Sequence, residues 1–269
     1  DVFGALKLLV RKEFQERMSD ILNLSGNVKG SWPAIEASFP WEGHCEGYVA
    51  QGVAVKGDQV LYAIYPSDGY APEGAVSKVM VHARISHEKT GSFDLPEEIK
   101  HAGGMTIDNG GNLLVADTHA IYKIDLKRAI KEGHCENAVL GKHRLNGING
   151  SSIAYDSKTD RILIVQFNKL TGTEGYFFDA NQVFAESSDH ILSAKEAVGS
   201  LKLPYQVQGA AWDAQGNLWL ARSNLWTKGE VCRIDETSGH ILERHQLIAG
   251  LQDIEFDKDG KLWTLSEAG

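Results

Sequence analysis

The sequence has 269 residues, of which 42% are hydrophobic, and it carries a formal net charge of −9 with a pI near 5.6. A chain of this size can bury a large core. Its acidic balance argues against a nucleic-acid partner, because a phosphate-binding surface needs concentrated Lys and Arg. No stretch approaches the roughly 18 uninterrupted apolar residues of a membrane-spanning helix, so the sequence predicts no transmembrane segment.

The first 26 residues have a different pattern from the rest of the chain. Their apolar side chains recur at intervals of three and four residues, at Phe3, Leu6, Val10, Phe14, Met18 and Ile21. This spacing is typical of an amphipathic helix, and Ser25-Gly26 is a suitable end for it. We expect residues 1–26 to form a helix outside the main domain that covers an apolar patch. A partner-binding or membrane-surface helix is the alternative.

One motif then recurs five times: an apolar strand, a Gly/Asp-rich turn and a second apolar strand. The copies begin at Gln51, Gly103, Ser151, Gln208 and Gln252. Such repeats cannot bury their apolar faces alone, so they must stack on one another. Their spacing and turn chemistry predict an all-β fold, a five-bladed β-propeller over residues 27–269. Six blades are the alternative, because the gap before Gln208 can hold a degenerate blade.

Two segments outside the motif have predicted roles in this ring. The fifth copy ends after two strands, and an unpaired strand edge is a liability that native folds avoid. We therefore expect a strand from about residues 27–39 to close the last blade. The segment 171–203 is the longest insertion in the repeat, and it predicts an aromatic loop and a short helix packed over one face.

Two copies of the motif resemble known propeller families. The stretches GGMTIDNGGNLLVAD, from Gly103, and GAAWDAQGNLWLAR, from Gly209, resemble blades of NHL-repeat proteins and of the regucalcin/gluconolactonase family. This resemblance covers about residues 48–269. The stretch AQGVAVKGDQVLYAIYPSDGY, from Ala50, resembles the first-blade motif of glutaminyl cyclotransferases. Because many unrelated functions occur on propellers, these motifs predict architecture rather than activity.

The loops that enter the inner strands and those that follow the second strands open on the same face of a meandering blade. We expect their polar side chains to form a binding site at the mouth of the central channel. The predicted ligand-binding residues are Gln51, Ser151, Gln208, Gln252, Asp68, Asn168, Asn224 and Glu267. Glutamine amides both donate and accept hydrogen bonds, which suits a small polar molecule or an inserted protein segment. Ordered water that fills the channel is the alternative.

The sequence leaves open whether the chain is an enzyme. The catalytic candidates are His119, which follows a second strand, and Glu46, which resembles a first-blade glutamate of the gluconolactonase family. That resemblance implies a metal-dependent ester or lactone hydrolase with a divalent cation such as calcium. The matching positions Gly103, Ser151 and Gln208 lack the carboxylates that calcium prefers. The sequence therefore predicts a binding protein without a cofactor, with the hydrolase as the alternative and a glutaminyl-cyclotransferase-like enzyme as a minor one.

The cysteines and the first residue bear on the compartment. Cys45 and Cys135 each lie in a copy of EGHCE. A disulfide between them would fit an oxidising compartment, while a zinc site and free thiols are the alternatives. Cys232 lies in an apolar strand and is expected to be packed in the core. The sequence starts at Asp1 rather than Met, so we expect either a removed leader or a shortened chain. A removed leader would fit the secreted or periplasmic location that we predict.

Overall fold

In a computed structural model of the protein, the described residues are 28–31, 47–67, 70–185, 190–223 and 228–266. These residues form an all-β, propeller-like arrangement of strands with two short helices. Strands and helices are numbered in chain order. The predicted helix of residues 1–26 lies outside the described part of the chain.

Each complete blade is an antiparallel meander of four strands. The first contains β2 (Tyr48–Lys56), β3 (Gln59–Pro66), β4 (Lys78–Ala83) and β5 (Lys89–Asp94). The second contains β6 (Gly104–Ile107), β7 (Leu113–Asp117), β8 (Ala120–Ile124) and β9 (Val139–Leu145). The third contains β10 (Ser152–Asp156), β11 (Arg161–Val165), β12 (Thr173–Asp179) and β14 (Gly199–Leu203). The fourth contains β15 (Val207–Trp212), β16 (Leu218–Arg222), β17 (Lys228–Ile234) and β18 (Ile241–Ala249).

The fifth copy of the motif forms a sheet of only two described strands, β19 (Leu251–Phe256) and β20 (Leu262–Ser266). β19 contacts β15 of the fourth blade and β2 of the first, so the sheet lies in the ring between these blades. The described residues thus give four complete blades, and the prediction of five blades, with six as the alternative, is wrong. The motif covers only the inner hairpin of a blade, and therefore it does not guarantee the two outer strands.

Two further strands extend complete blades at their outer edges. β1 (Val28–Ser31) pairs parallel with β18, and β13 (His190–Leu192) pairs parallel with β9. Residues 28–31 therefore join the fourth blade rather than β20. The remainder of the predicted closing strand, residues 32–39, lies outside the described residues, so its role stays a prediction.

The segment 171–203 contains the predicted short helix and two strands that the sequence did not predict. Its aromatic stretch forms β12, which is followed by the short helix α2 (Ala180–Ala185), and the segment ends in β14. The helix is confirmed, but the predicted aromatic loop is wrong, because aromatic residues also favour strands and here complete the third blade. The other helix, α1 (Leu126–Glu132), connects β8 to β9 and is capped by the Asp125 side chain, which accepts the Arg128 N–H at 3.1 Å.

The inner hairpins have the predicted turn chemistry. Each contains one residue with positive φ, at Gly57, Gly111, Asp160, Gly216 and Gly260. Four of the hairpins also begin with an aspartate whose side chain accepts turn N–H groups: Asp108, Asp156, Asp213 and Asp257. These side chains satisfy backbone donors that the short turns leave unpaired.

The apolar core is divided among the interfaces between neighbouring blades. In the first of these interfaces, Leu61 and Val79 of the first blade pack with Leu113 and Tyr122 of the second. Comparable clusters join the second blade to the third, the third to the fourth, and the fourth to the β19–β20 sheet. Residues of the first blade pack against Leu265 of β20. This arrangement orients all inner strands along one channel.

The described cysteines are both buried and free, at Cys135 and Cys232. Burial raises the pKa of the Cys135 thiol to about 12, and it also raises that of Cys232. Cys135 is therefore not in the disulfide with Cys45 that the sequence left open, and Cys45 itself lies outside the described residues. The two described helices have seven and six residues, and neither can cross a membrane.

Candidate functional site

A buried carboxylate, Asp253, lies where the inner strands meet. Its Oδ2 accepts hydrogen bonds from the backbone N–H groups of Val53 and Met105, both at 3.1 Å, and its Oδ1 accepts one from Ser152 Oγ at 3.1 Å. The side chain thereby connects β19 to β2, β6 and β10. Burial raises the pKa of Asp253 well above its ordinary value, because a charge away from water is unfavourable.

Small residues on the other inner strands make room for this side chain. The corresponding positions are Gly52, Gly104, Ser152 and Gly209. A Cβ at Gly209 would lie 2.5 Å from Asp253 Oδ1, and a Cβ at Gly104 would lie 2.3 Å from Ser152 Oγ. These are the second residues of the five copies of the motif, and sequence reasoning gave Asp253 no role among them. The signal that could have found it is a single aspartate at a position where the other copies have glycine or serine.

The predicted glutamines lie at the end of the channel where the chain enters the inner strands, here called the entry end. Gln51 and Gln252 are buried, with 6% and 3% of their surfaces exposed, and Gln208 is half-buried. Ser151, also half-buried, donates its hydroxyl to the Val165 carbonyl at 2.9 Å. Ser151 therefore stabilises its own blade.

The predicted residues after the second strands are mostly outside what the structure describes. This applies to Asp68, Asn224 and Glu267, and the catalytic candidate Glu46, which precedes β2, also lies outside the described residues. Asn168 is exposed, and its Oδ1 accepts the N–H groups of Leu170 and Thr171 at 3.0 and 3.1 Å, so it stabilises its own loop. His119 is exposed, and its backbone carbonyl accepts the Leu145 N–H at 2.8 Å.

His101 and Asp117 form a polar pair at the entry end that sequence reasoning missed. The His101 N–H donates to Asp117 Oδ1 at 3.0 Å, and the His101 ring lies edge-on to Tyr65 with centroids 4.8 Å apart. Burial lowers the pKa of His101 and raises that of Asp117. His101 Nδ1 is buried and has no hydrogen-bond partner among the described residues. The signal that could have found Asp117 is a charged residue at the end of an apolar strand.

At the opposite end of the channel, beside the hairpin turns, lies a cavity of about 220 Å³, which we call the turn-side cavity. It is much larger than the space one water needs. Its lining includes Thr106, Tyr155, Trp212, Ala214, Glu255 and Phe256. Most of these residues end the inner strands β6, β10, β15 and β19, so the cavity is the turn-side mouth of the channel.

Glu255 is the polar centre of this cavity. Its Oε2 accepts the Thr106 hydroxyl hydrogen at 2.9 Å, and its Oε1 accepts the Phe256 N–H at 3.1 Å. Burial raises the pKa of Glu255 to about 7, although both hydrogen bonds act in the opposite direction. The carboxyl group therefore changes charge near neutral pH.

Two other carboxylates at the cavity wall are already engaged in structure. Asp257 accepts the Trp263 indole N–H at 3.0 Å and pairs with Arg84 at 2.7 Å. Asp213 accepts the Trp219 indole N–H at 2.9 Å. Both lie in the inner hairpins and stabilise those turns. Glu255 has no such structural role in a turn.

A second cavity, of about 240 Å³, lies between the second and third blades and shares Tyr155 with the first. Its wall contains an ion pair in which Lys123 Nζ lies 2.9 Å from Asp108 Oδ2. Asp160, also in this wall, accepts the Tyr155 hydroxyl hydrogen, so both carboxylates of this cavity already have partners. In the part of the chain that the structure describes, no three His, Cys, Asp or Glu residues are grouped to hold a metal ion.

Blades around a channel define the chain as a β-propeller protein by architecture. No protein-family model matches the chain, and no curated protein matches it either. Similar solved structures include hydrazine synthase from Kuenenia stuttgartiensis, at 13% identity and a TM-score of 0.47, with 86% of this chain and 59% of that chain covered. The luciferin-regenerating enzyme is another, at 12% identity and a TM-score of 0.46, with 84% and 86% covered.

These values do not establish a shared activity. The chain spans only 59% of the length of the hydrazine synthase chain. The resemblance to NHL-repeat proteins and to the regucalcin/gluconolactonase family is not confirmed.

Proposed function

We propose that this β-propeller binds a small molecule in the turn-side cavity. The observation that supports the proposal is the combination of an open cavity of about 220 Å³ with three aromatic side chains in its lining and one carboxyl group, Glu255, whose pKa is raised to about 7. Concave sites where polar groups converge with a residue of shifted pKa are candidates for ligand binding. This cavity lies at the other end of the channel from the predicted glutamines, so the proposed site differs from the one that the sequence predicted.

The entry end remains a second predicted contact surface for a polar ligand or a protein segment. Gln51 and Gln252 are buried near the channel axis, and His101 carries an unpartnered ring nitrogen within the described structure. A ligand there would meet several hydrogen-bonding groups from different blades. Asp253 lies between this end and the turn-side cavity.

A blocking substitution tests the proposal. Ala214 lies in the cavity wall and is exposed, so Ala214→Trp should cover the opening without disturbing the core. Gln215→Trp places the same side chain one residue further along the turn and is the matched control. Ligand-observed NMR with a library of small polar molecules should give hits that bind the parent and the control but not Ala214→Trp.

The same spectra separate binding from hydrolysis, because a converted ester or lactone gives new resonances. Turnover that a metal chelator abolishes would support the hydrolase alternative instead. If no compound binds, or if every hit binds Ala214→Trp as well as the parent, the turn-side cavity is not a ligand site.

A further inference from the structure

We infer that the ligand of the turn-side cavity is a small organic cation, with Glu255 as its counter-ion and Tyr155, Trp212 and Phe256 as aromatic walls. This inference rests on the proposed function and names the chemical class of the ligand. No feature of the sequence motif suggested it, because the residues come from three different strands, β10, β15 and β19.

The walls and the charge both favour a cation. Three aromatic rings and three carboxyl groups line the cavity, against one lysine, Lys258. This lining favours a positively charged group, since carboxylates are negative and the faces of aromatic rings carry negative partial charge. Tyr155 and Trp212 are buried, and their polar atoms already donate to Asp160 and Glu236. Their rings are therefore held in place, and a bound ligand does not need to order them.

Glu255 is the group whose charge a ligand would neutralise. The donors to its carboxyl group are the Thr106 hydroxyl and the Phe256 N–H, which are both neutral. Asp257 already has the cation of Arg84 at 2.7 Å, and Asp213 is held by its hairpin. Lys258 lies at the rim and is exposed, with its Nζ 3.4 Å from Asp58. A small cation in the cavity would supply the opposite charge that Glu255 lacks.

Binding should be coupled to loss of a proton from Glu255. The pKa of Glu255 is about 7 in the empty cavity, so only a fraction of the molecules carries the negative charge at pH 6. The apparent dissociation constant rises as this competent fraction falls. Affinity should therefore increase roughly tenfold between pH 6 and pH 8 and then level off. The other ionisable groups around Glu255 are Tyr155, Asp213, Asp253, Asp257 with its partner Arg84, and Lys258.

Choline and its uncharged isostere 3,3-dimethylbutan-1-ol form a matched pair of probes, which differ in charge at nearly constant shape. Calorimetric titration at pH 6, 7 and 8 should show choline binding that strengthens with pH, while the alcohol binds at least tenfold more weakly. Glu255→Gln removes the charge at nearly constant shape: its amide oxygen can still accept the Phe256 N–H, and its amide nitrogen can donate to the Thr106 hydroxyl oxygen. It should weaken choline binding by tenfold or more and abolish the pH dependence.

Glu174→Gln is the control, because Glu174 is an exposed carboxylate on β12 away from the cavity. Trp212→Leu retains an apolar wall without the ring and should also weaken choline binding. Equal binding of choline and the alcohol, or unchanged choline affinity in Glu255→Gln, would overturn the cation assignment and leave the small-molecule site intact. A choline dissociation constant above about 10 mM would also overturn it. Loss of every ligand from the library screen, by contrast, would remove the proposed function itself.

Discussion

At the residue scale, Asp253 pairs backbone N–H groups at the centre of the ring that strand pairing leaves without an acceptor. The N–H groups of Val53 and Met105 point into the channel, where no neighbouring strand can accept them, and one carboxylate oxygen accepts both at 3.1 Å. An unsatisfied buried donor costs about 1 to 3 kcal/mol. A single side chain on β19 therefore contributes to the stability of the first, second and third blades.

Replacing Asp253 by Ala should lower the free energy of unfolding by about 3 kcal/mol or more, since two buried N–H groups and the Ser152 hydroxyl lose their acceptor. Asp253→Asn should cost much less, because the amide oxygen can accept both N–H groups and the amide nitrogen can donate to Ser152 Oγ. Urea unfolding of the two variants and of Ser152→Ala, which leaves both N–H groups paired, measures the difference. Equal midpoints for the Ala and Asn variants would contradict this role.

At the scale of secondary structure, the inner hairpins could be predicted, whereas the outer strands of the third blade could not. The apolar runs of the motif have the length of strands, and the glycines between them predict turns with positive φ, as observed at Gly111, Gly216 and Gly260. The strands β12 and β14 carry no repeat signal, because their buried residues, such as Phe177 and Leu201, lie outside the strand-turn-strand motif. Residues 173–179 were therefore predicted as a loop, although they pair with both β11 and β14.

The site was predicted incompletely for a related reason. The repeat alignment shows which positions are equivalent in the five copies. It therefore favoured polar residues at the strand ends, where every copy reaches the same face of the ring. Glu255 and Thr106 occupy one equivalent position, but Ala54, Ala154 and Ala211 occupy it on the other inner strands. The cavity depends on which side chains meet when these strands come together. That combination is a property of the closed ring and not of any single copy.

The close approach of the inner strands gives a prediction for a glycine within a strand. A Cβ at Gly104 would lie 2.3 Å from Ser152 Oγ and 2.7 Å from Ser152 Cα, so Gly104→Ala must push β6 and β10 apart. We expect a loss of about 1 to 3 kcal/mol in unfolding free energy, as for other overpacked cores. Gly91→Ala on β5 is the control, since the nearest atom to its Cβ would be Ile130 Cγ2 at 3.8 Å. Urea denaturation that gives equal losses for both variants would show that the inner strands can separate at little cost.

At the scale of the whole molecule, the ring is closed where the β19–β20 sheet meets the first blade. Arg84, between β4 and β5, pairs with Asp257 at 2.7 Å and with Asp259 at 2.8 Å. The Arg84 side chain is only 10% exposed and that of Asp257 is fully buried, so the charges are shielded from water. Lys258 and Asp58 form a neighbouring pair across the same junction, but both side chains are largely exposed. Removing one partner of a buried ion pair therefore costs much more stability than removing one partner of an exposed pair.

This contrast predicts where the propeller opens first. Arg84→Met keeps an apolar side chain of similar length but leaves the buried Asp257 without its cation, so the two-stranded sheet should detach more readily from the first blade. Hydrogen exchange of the amides in β19 and β20 should accelerate by about tenfold or more, while the amides of the third blade change little. Lys258→Met should leave both regions near their parent rates, because its exposed pair contributes little. Uniform acceleration across all blades in Arg84→Met would mean that the ring opens as one cooperative unit, and unchanged exchange in β19 and β20 would mean that apolar packing of Leu265 against the first blade closes the ring without the ion pair.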